Sequence, residues 1–248
     1  MSGGPLARVT TIGSRVVDGV AGTVAAGLAR VPGVGGWDDD PAWATVYDWM
    51  VEHPRVGVPL WRLGANTDLR LLYRAAGEIG TLPRGSRVLD IPSGGGVALR
   101  GLVPGQGLDY VAADIAPTML ERTMDAARAR GVADQVRPQV ADVGALPFAD
   151  ATFDLVVTFT GLHCFPDPHR AVVEMARVLR PGGAITGSAL LADSGPLLAP
   201  LRHGGRLSGL LGPMCTAAEI TTWFAEQGLV DVRLRRSGAL GYFRAERA

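Results

Sequence analysis

From Arg84 onward the sequence alternates between short β-like runs and helical ones, and that rhythm restricts the architectures open to it. "RVLDI" (87–91) leads into three glycines, and "DYVAADI" (109–115) leads into the helical spacing of "APTMLERTMDAARARG". "QVRPQVAD" and "FDLVVTFT" follow as strands three and four. "PHRAVVEMARVLRPGG" then reads as a helix closed by its Pro-Gly-Gly, with "AITGSALL" as a fifth strand. Such alternation implies right-handed βαβ crossovers, hence an α/β fold with a doubly wound, mostly parallel sheet and helices on both faces. "TAAEITTWFAEQG" opens with a Thr216–Glu219 capping box and predicts a last helix. "VDVRLRRSGALGYFRAER" reads as two strands around Ser237-Gly238, too close for a parallel crossover, so the seven-stranded sheet should finish antiparallel.

Composition narrows the function classes. At 248 residues, 47% hydrophobic and 19% charged, the chain can bury a sizeable core and suits one decorated α/β domain or two small ones. Its 24 basic and 24 acidic residues cancel, so no basic field recruits nucleic acid. All the basic residues are arginine, which excludes a Schiff-base lysine and a P-loop lysine. Cys164 and Cys215 cannot make a disulfide framework or a four-cysteine zinc site, and no metal site is expected. With no secretory signal pattern, a reducing cytoplasm is the expected location. Apolar stretches break well short of the roughly 18 residues a membrane span requires.

Three regions follow from the composition shifts. Residues 1–36 form a Gly/Ala/Val-rich arm ending in "RVPGVGG". Within it Ile12, Val16, Val20, Val24 and Leu28 repeat at helical spacing, so residues 8–30 could make a peripheral membrane contact or cover a hydrophobic site. Packing on the domain or fraying is preferred, because Gly13, Gly19, Gly22 and Gly27 each weaken a helix by about 1 kcal/mol. Residues 37–83 read as a helical cap broken near Pro54 and Pro59. Its Trp43, Tyr47, Trp49 and Trp61 are either core aromatics or a lid over a ligand. The core is 84–248, with an insertion at about 190–216 before the last helix.

A doubly wound sheet binds ligands at the carboxyl ends of its strands, near the topological switch point. There, "IPSGGGVALRG" lacks the G-x-G-x-x-G spacing of a dinucleotide site, and Asp90 stands where a phosphate would arrive. An acid there suits an ammonium group instead. Asp114 ends the second strand where an acid takes ribose hydroxyls. Asp142 and Val143 follow the third, where a carboxylate could read an exocyclic amine and a backbone N–H a ring nitrogen. An amine, a ribose and an adenine with no phosphate between them describe S-adenosylmethionine.

These segments resemble the class I S-adenosylmethionine-dependent methyltransferases, especially the type 11 and ubiquinone/menaquinone-biosynthesis-like small-molecule group. The resemblance is carried by "VLDIPSGGG", "VAADIAPTML", "VADVGALPFADATFDLVV", "TFTGLHCFPDP" and "ARVLRPGG", in that order. It implies that the turn of Pro92, Ser93, Gly94 and Gly96 holds the methionine portion while Asp90 helps to place its amine. Asp114 would hold the ribose, Ile115 and Met119 would line the nucleoside, and Asp142 and Val143 would meet the adenine edge. Thr158 and Tyr47 complete the implied cofactor set, with S-adenosylhomocysteine as product.

Pro92 departs from the family, which has its first glycine there. Proline is tolerable if the position keeps a negative φ and its N–H is unused. Otherwise a non-catalytic cofactor-binding scaffold becomes the alternative, and a nicotinamide oxidoreductase is a more distant one. The expected acceptor is small and lipophilic or aromatic, methylated on oxygen or carbon. His163, just past the fourth strand, and His169 are the candidate bases for an acceptor that must lose a proton. The alternative for His163 is a structural histidine holding its loop. The insertion, poor in charge, would cap an apolar acceptor or make an oligomer contact; the sequence leaves oligomeric state open.

Overall fold

Val88 and Leu89 alternate sides of a strand that is buried on both, so the first run of the core becomes the middle of a sheet. A computed structural model describes residues 49–195 and 211–248, together with Ala199, Arg202, His203 and Arg206. The strands are β1 (Arg87–Asp90), β2 (Asp109–Asp114), β3 (Val136–Val140), β4 (Phe153–Phe159), β5 (Leu179–Leu190), β6 (Leu229–Ser237) and β7 (Leu240–Arg247). They lie in the order β3-β2-β1-β4-β5-β7-β6. β1 pairs in parallel with both β2 and β4, and β7 pairs antiparallel with β5 and β6. After β3 the chain returns to the other side of β1, so the switch point falls between β1 and β4.

The helices are α1 (Pro54–Ala65), α2 (Arg70–Ala76), α3 (Pro117–Ala129), α4 (Pro168–Val178) and α5 (Ala217–Glu226). One core joins Leu89, Val156 and Ile185 to Val172 and Met175 of α4 and Phe224 of α5. The other joins Val88, Tyr110 and Val157 to Leu72 of α2, Leu99 and Ala127. The sheet is thus covered on both faces, as the alternation predicted. The Thr216–Glu219 capping box opens α5, each partner satisfying the other's backbone N–H.

Two boundaries differ from the sequence reading. Pro54 begins α1, where its missing N–H is not needed, but the helix runs through Pro59. Val58 and Trp61 pack on the core around that position and hold the turn despite the lost bond to Arg55's carbonyl. Pro181 and the two glycines after it do not separate α4 from the fifth strand. β5 already starts at Leu179, which pairs with Phe153, and the register shifts before Ala184 pairs with Leu155. Cross-strand pairing overrides the local stop signal there.

The helical segment 49–52 is clasped to the core from a distance. Arg130 donates to both carboxylate oxygens of Glu52, at 2.6 and 2.7 Å, and Arg100 pairs with the same group at 3.1 Å. Arg100 also lies over the Tyr73 ring, whose hydroxyl donates to the Val51 carbonyl. Tyr47, Trp43 and the arm 1–36 lie outside the described residues. Trp49 is half exposed and stacks on His53.

Candidate functional site

The turn after β1 is built from backbone groups tied down on every side. The peptide bond before Pro92 is cis, and the turn's positive φ angles fall at Gly94 (+51°) and Gly96 (+83°) rather than at Pro92. Ser93 donates its N–H to the Ala113 carbonyl, and Gly94 donates to Asp114 Oδ2 at 3.0 Å. Thr123 of α3 donates its hydroxyl to the Gly94 carbonyl at 2.6 Å and sits 3.2 Å from Ser93 Oγ. A side chain at Gly96 would press on Leu99 and Ala126, so glycine there serves close packing. At Gly94 a Cβ would meet nothing within 4 Å: the turn faces open space.

Two carboxylates stand behind that turn. Asp90 is buried and accepts a 2.7 Å hydrogen bond from the Tyr110 hydroxyl. Burial pushes its pKa up to about 8; the Tyr110 bond opposes this and the charge of Asp114 adds to it. Asp114 is also buried and raised above the usual carboxylate range by burial, against bonds from the Ala116 and Gly94 N–H groups. The carboxylate accepts from the Ala116, Gly94 and Ile115 N–H groups and keeps lone-pair capacity for a further donor. Tyr110 was not singled out in the sequence. The alternation of β2 puts Tyr110 on the side of Ala112 and Asp114, but only the pairing of β1 with β2 brings it to Asp90.

Farther along the edge the wall is apolar. Ile115 and Val140 are 58% and 53% exposed at the carboxyl ends of β2 and β3, where Asp114 pairs with Val140. Large aliphatic side chains left open beside buried carboxylates make a shelf for a flat ring. Met119 packs with Ala116 in a small buried cluster. Asp142 is exposed and accepts from the Gly144 N–H at 2.8 Å, and Val143 is buried. Their loop is held from α4: Glu174 accepts from the Leu146 N–H, and Arg177 bonds Glu174 and the Leu146 and Phe148 carbonyls. Arg177 holds Glu174 below the usual carboxylate range.

After β4 the chain turns against the same site. A Cβ at Gly161 would lie 2.6 Å from Thr158 Oγ1 and would overlap the Pro92 ring, so the two loops meet at a glycine. The Thr158 hydroxyl is wholly buried with no hydrogen-bond partner among the described residues. His163 is buried, and its Nδ1 accepts from the Leu190 N–H at 3.0 Å. Burial lowers its pKa to about 4. His169 is exposed on α4 and meets α5, 3.3 Å from Glu226 and beside the Trp223 ring. Cys215 is buried, its thiol pushed up to about 12 by that burial.

The strand order, the Gly turn at the switch point and the acids ending successive strands define a class I methyltransferase fold. The stretch that carries it, residues 89–186, matches the family model described as a methyltransferase domain. The chain is 36% identical over 126 residues to a 27-O-demethylrifamycin SV methyltransferase of Amycolatopsis mediterranei, covering 50% of this chain and 46% of that one. It is 39% identical over 120 residues to a ubiquinone/menaquinone biosynthesis C-methyltransferase of Serratia proteamaculans, covering 48% and 47%. The chain spans about half the length of the curated relatives it matches. In structure it resembles phosphoethanolamine N-methyltransferase 2 of Haemonchus contortus, solved with S-adenosyl-L-methionine. The TM-score is 0.65 at 15% identity, over 82% of this chain and 56% of that one.

Proposed function

We propose that this chain is an S-adenosylmethionine-dependent methyltransferase acting on a small lipophilic or aromatic acceptor, at oxygen or carbon. The observation that carries the reading is the pair of buried carboxylates behind a glycine turn that opens onto free space. Asp90 suits the cofactor's ammonium and Asp114 its ribose, while Ile115 and Val140 offer an apolar shelf to adenine beside Asp142. None of these groups suits a diphosphate, since the Asp114 charge would repel it and neither acid supplies a cation to hold it. The relatives that methylate a rifamycin oxygen and a quinone-pathway carbon support an apolar acceptor of either kind.

When bound, the cofactor supplies an already activated methyl group on a sulfonium. The chain's own residues then supply proximity, orientation and exclusion of water. The Gly94 turn, fixed by Asp114 and Thr123, holds one end, and the loop through Gly161 closes against Pro92. His163 serves as an anchor rather than a base in this reading. Its Nδ1 lone pair is already taken by the Leu190 N–H, and its low pKa leaves it a poor proton acceptor near neutrality. His169 faces α5 and is assigned no catalytic part.

Calorimetry with S-adenosylmethionine, S-adenosylhomocysteine and NAD tests the cofactor, and mass spectrometry of lipophilic metabolites gaining one methyl group tests the acceptor. Saturable binding of both sulfur nucleosides with methyl transfer is expected. NAD binding without them would overturn the reading, and nucleoside binding without turnover would replace it with a scaffold.

A further inference from the structure

The helix α1 turns an apolar stripe to solvent. At about 100° per residue, Val56, Leu60 and Leu63 fall on one side of the helix. They are 42%, 45% and 85% exposed. The opposite side carries Gly57, where a Cβ would press on Leu69, and Val58 and Trp61, which pack on the core. A solvated helix normally puts charge where these three residues stand.

The charge beside the stripe has one sign. α1, "PRVGVPLWRLGA", contains Arg55 and Arg62 and no acid. Across a cleft of about 430 Å³, lined by Pro54, Arg55, Val58, Pro59, Arg70 and Tyr73, stands Arg70 of α2. Neither Arg55 nor Arg70 has an ion-pair partner among the described residues. Two acids lie near in sequence, Glu52 before α1 and Asp68 two residues before Arg70. Glu52 is held by Arg100 and Arg130, and Asp68 accepts from the Arg70 backbone N–H.

The position of α1 also matters. Ala65 at its carboxyl end accepts from the Ala239 N–H, and β7 begins next door at Leu240, opposite Leu190 at the carboxyl end of β5. The helix therefore stands at the edge of the sheet where the candidate site opens.

We propose that this face seats the protein on an anionic lipid bilayer, with Val56, Leu60 and Leu63 entering the interface and Arg55, Arg62 and Arg70 meeting lipid phosphates. Apolar side chains flanked by cations, without acids between them, give the two attractions that hold an interfacial helix. The surface differs from the amphipathic run in residues 8–30, and the proposal does not depend on methyl transfer. An apolar acceptor dissolved in lipid would reach the sheet edge from this side.

The test is co-sedimentation of the full 248-residue chain with phosphatidylcholine vesicles, with and without phosphatidylglycerol. Binding to the anionic vesicles alone, weakened by salt, is expected. The double variant Leu60→Asp/Leu63→Asp should bind them at least about tenfold more weakly, because two apolar contacts become two repelled charges. Its thermal midpoint and S-adenosylhomocysteine affinity should match those of the parent, which separates lost docking from lost fold. Equal binding to neutral and anionic vesicles, or unchanged binding by the variant, would overturn the proposal. So would a lipid-free dimer that the same variant converts to monomer, which would assign the face to a second copy of the chain.

Discussion

Replacing Asp90 by asparagine should make the ligand-free protein more stable while weakening its hold on the cofactor. Asp90 titrates at about 8 in the fold, against 3.8 for an unperturbed aspartate. Between those values the folded chain holds a proton that the unfolded chain has released, so stability falls as pH rises through that window and levels off above it. At pH 7 the gap above the unfolded value is about 3.2 units, or about 4 kcal/mol at about 1.36 kcal/mol per unit. The asparagine has no proton to hold and can still accept from Tyr110, but its amide needs a partner of its own, which returns about 1–2 kcal/mol. The net gain expected at pH 7 is about 2–3 kcal/mol, and at pH 5, where the gap is only about 1.2 units, it vanishes. Urea melts of both proteins at pH 5, 7 and 8 measure this directly. An ammonium ligand draws Asp90 back to its charged form, so binding to the parent at pH 7 should release about 0.9 proton. Calorimetry of S-adenosylhomocysteine in buffers of different ionisation enthalpy reads that number. A stability difference independent of pH, or binding without proton release, would refute the reasoning.

Asp114→Ala should weaken S-adenosylhomocysteine binding by about 1–3 kcal/mol, the range for losing a charge-assisted partner, as read by calorimetry. His163→Ala should lower the melting temperature, because the Leu190 N–H loses its acceptor, while kcat stays within a few-fold of the parent. The depressed pKa of His163 makes stability fall as pH drops from 6.5 toward 4, where the unfolded imidazole takes a proton and the buried one resists, and the alanine variant should lack that slope in acid melts. Gly161→Ala should cost about 1–3 kcal/mol by overpacking against Thr158 and Pro92, and calorimetry should show cofactor affinity falling with it.

What the sequence made legible was what neighbouring residues decide among themselves. The capping box of α5, the alternation of strand and helix and the acids at strand ends are set within a few positions, so spacing alone located them. Asp90's burial and its Tyr110 bond were not legible, because they depend on which strands lie side by side. Val88 faces Tyr110 in register, and the tyrosine reaches forward to Asp90 only once β1 and β2 are paired. The clasp of Glu52 by Arg130 closes over 78 residues, and no local pattern marks its partners. The same distinction explains Pro59 and Pro181. Each is a breaker by its own chemistry, and each is overruled by contacts made elsewhere in the chain.

The residues that spacing could find, Asp90, Gly94 and Asp114, are those that would face a ligand. The residues it missed, Tyr110, Thr123 and Arg177, hold the first set or its neighbouring loop in place. Thr123 illustrates the difference. Its hydroxyl fixes the Gly94 carbonyl from a buried position on α3. Thr123→Val keeps the side-chain shape but leaves that carbonyl without its hydroxyl donor. The turn should then move against Asp114, and S-adenosylhomocysteine affinity should drop by about tenfold, or 1.4 kcal/mol, although the altered residue touches no ligand. Amide hydrogen exchange at Gly94 and Gly96 should quicken in the same variant. Unchanged exchange with lost affinity would mean that Thr123 meets the ligand itself, and the assignment of supporting and contacting residues would have to be reversed.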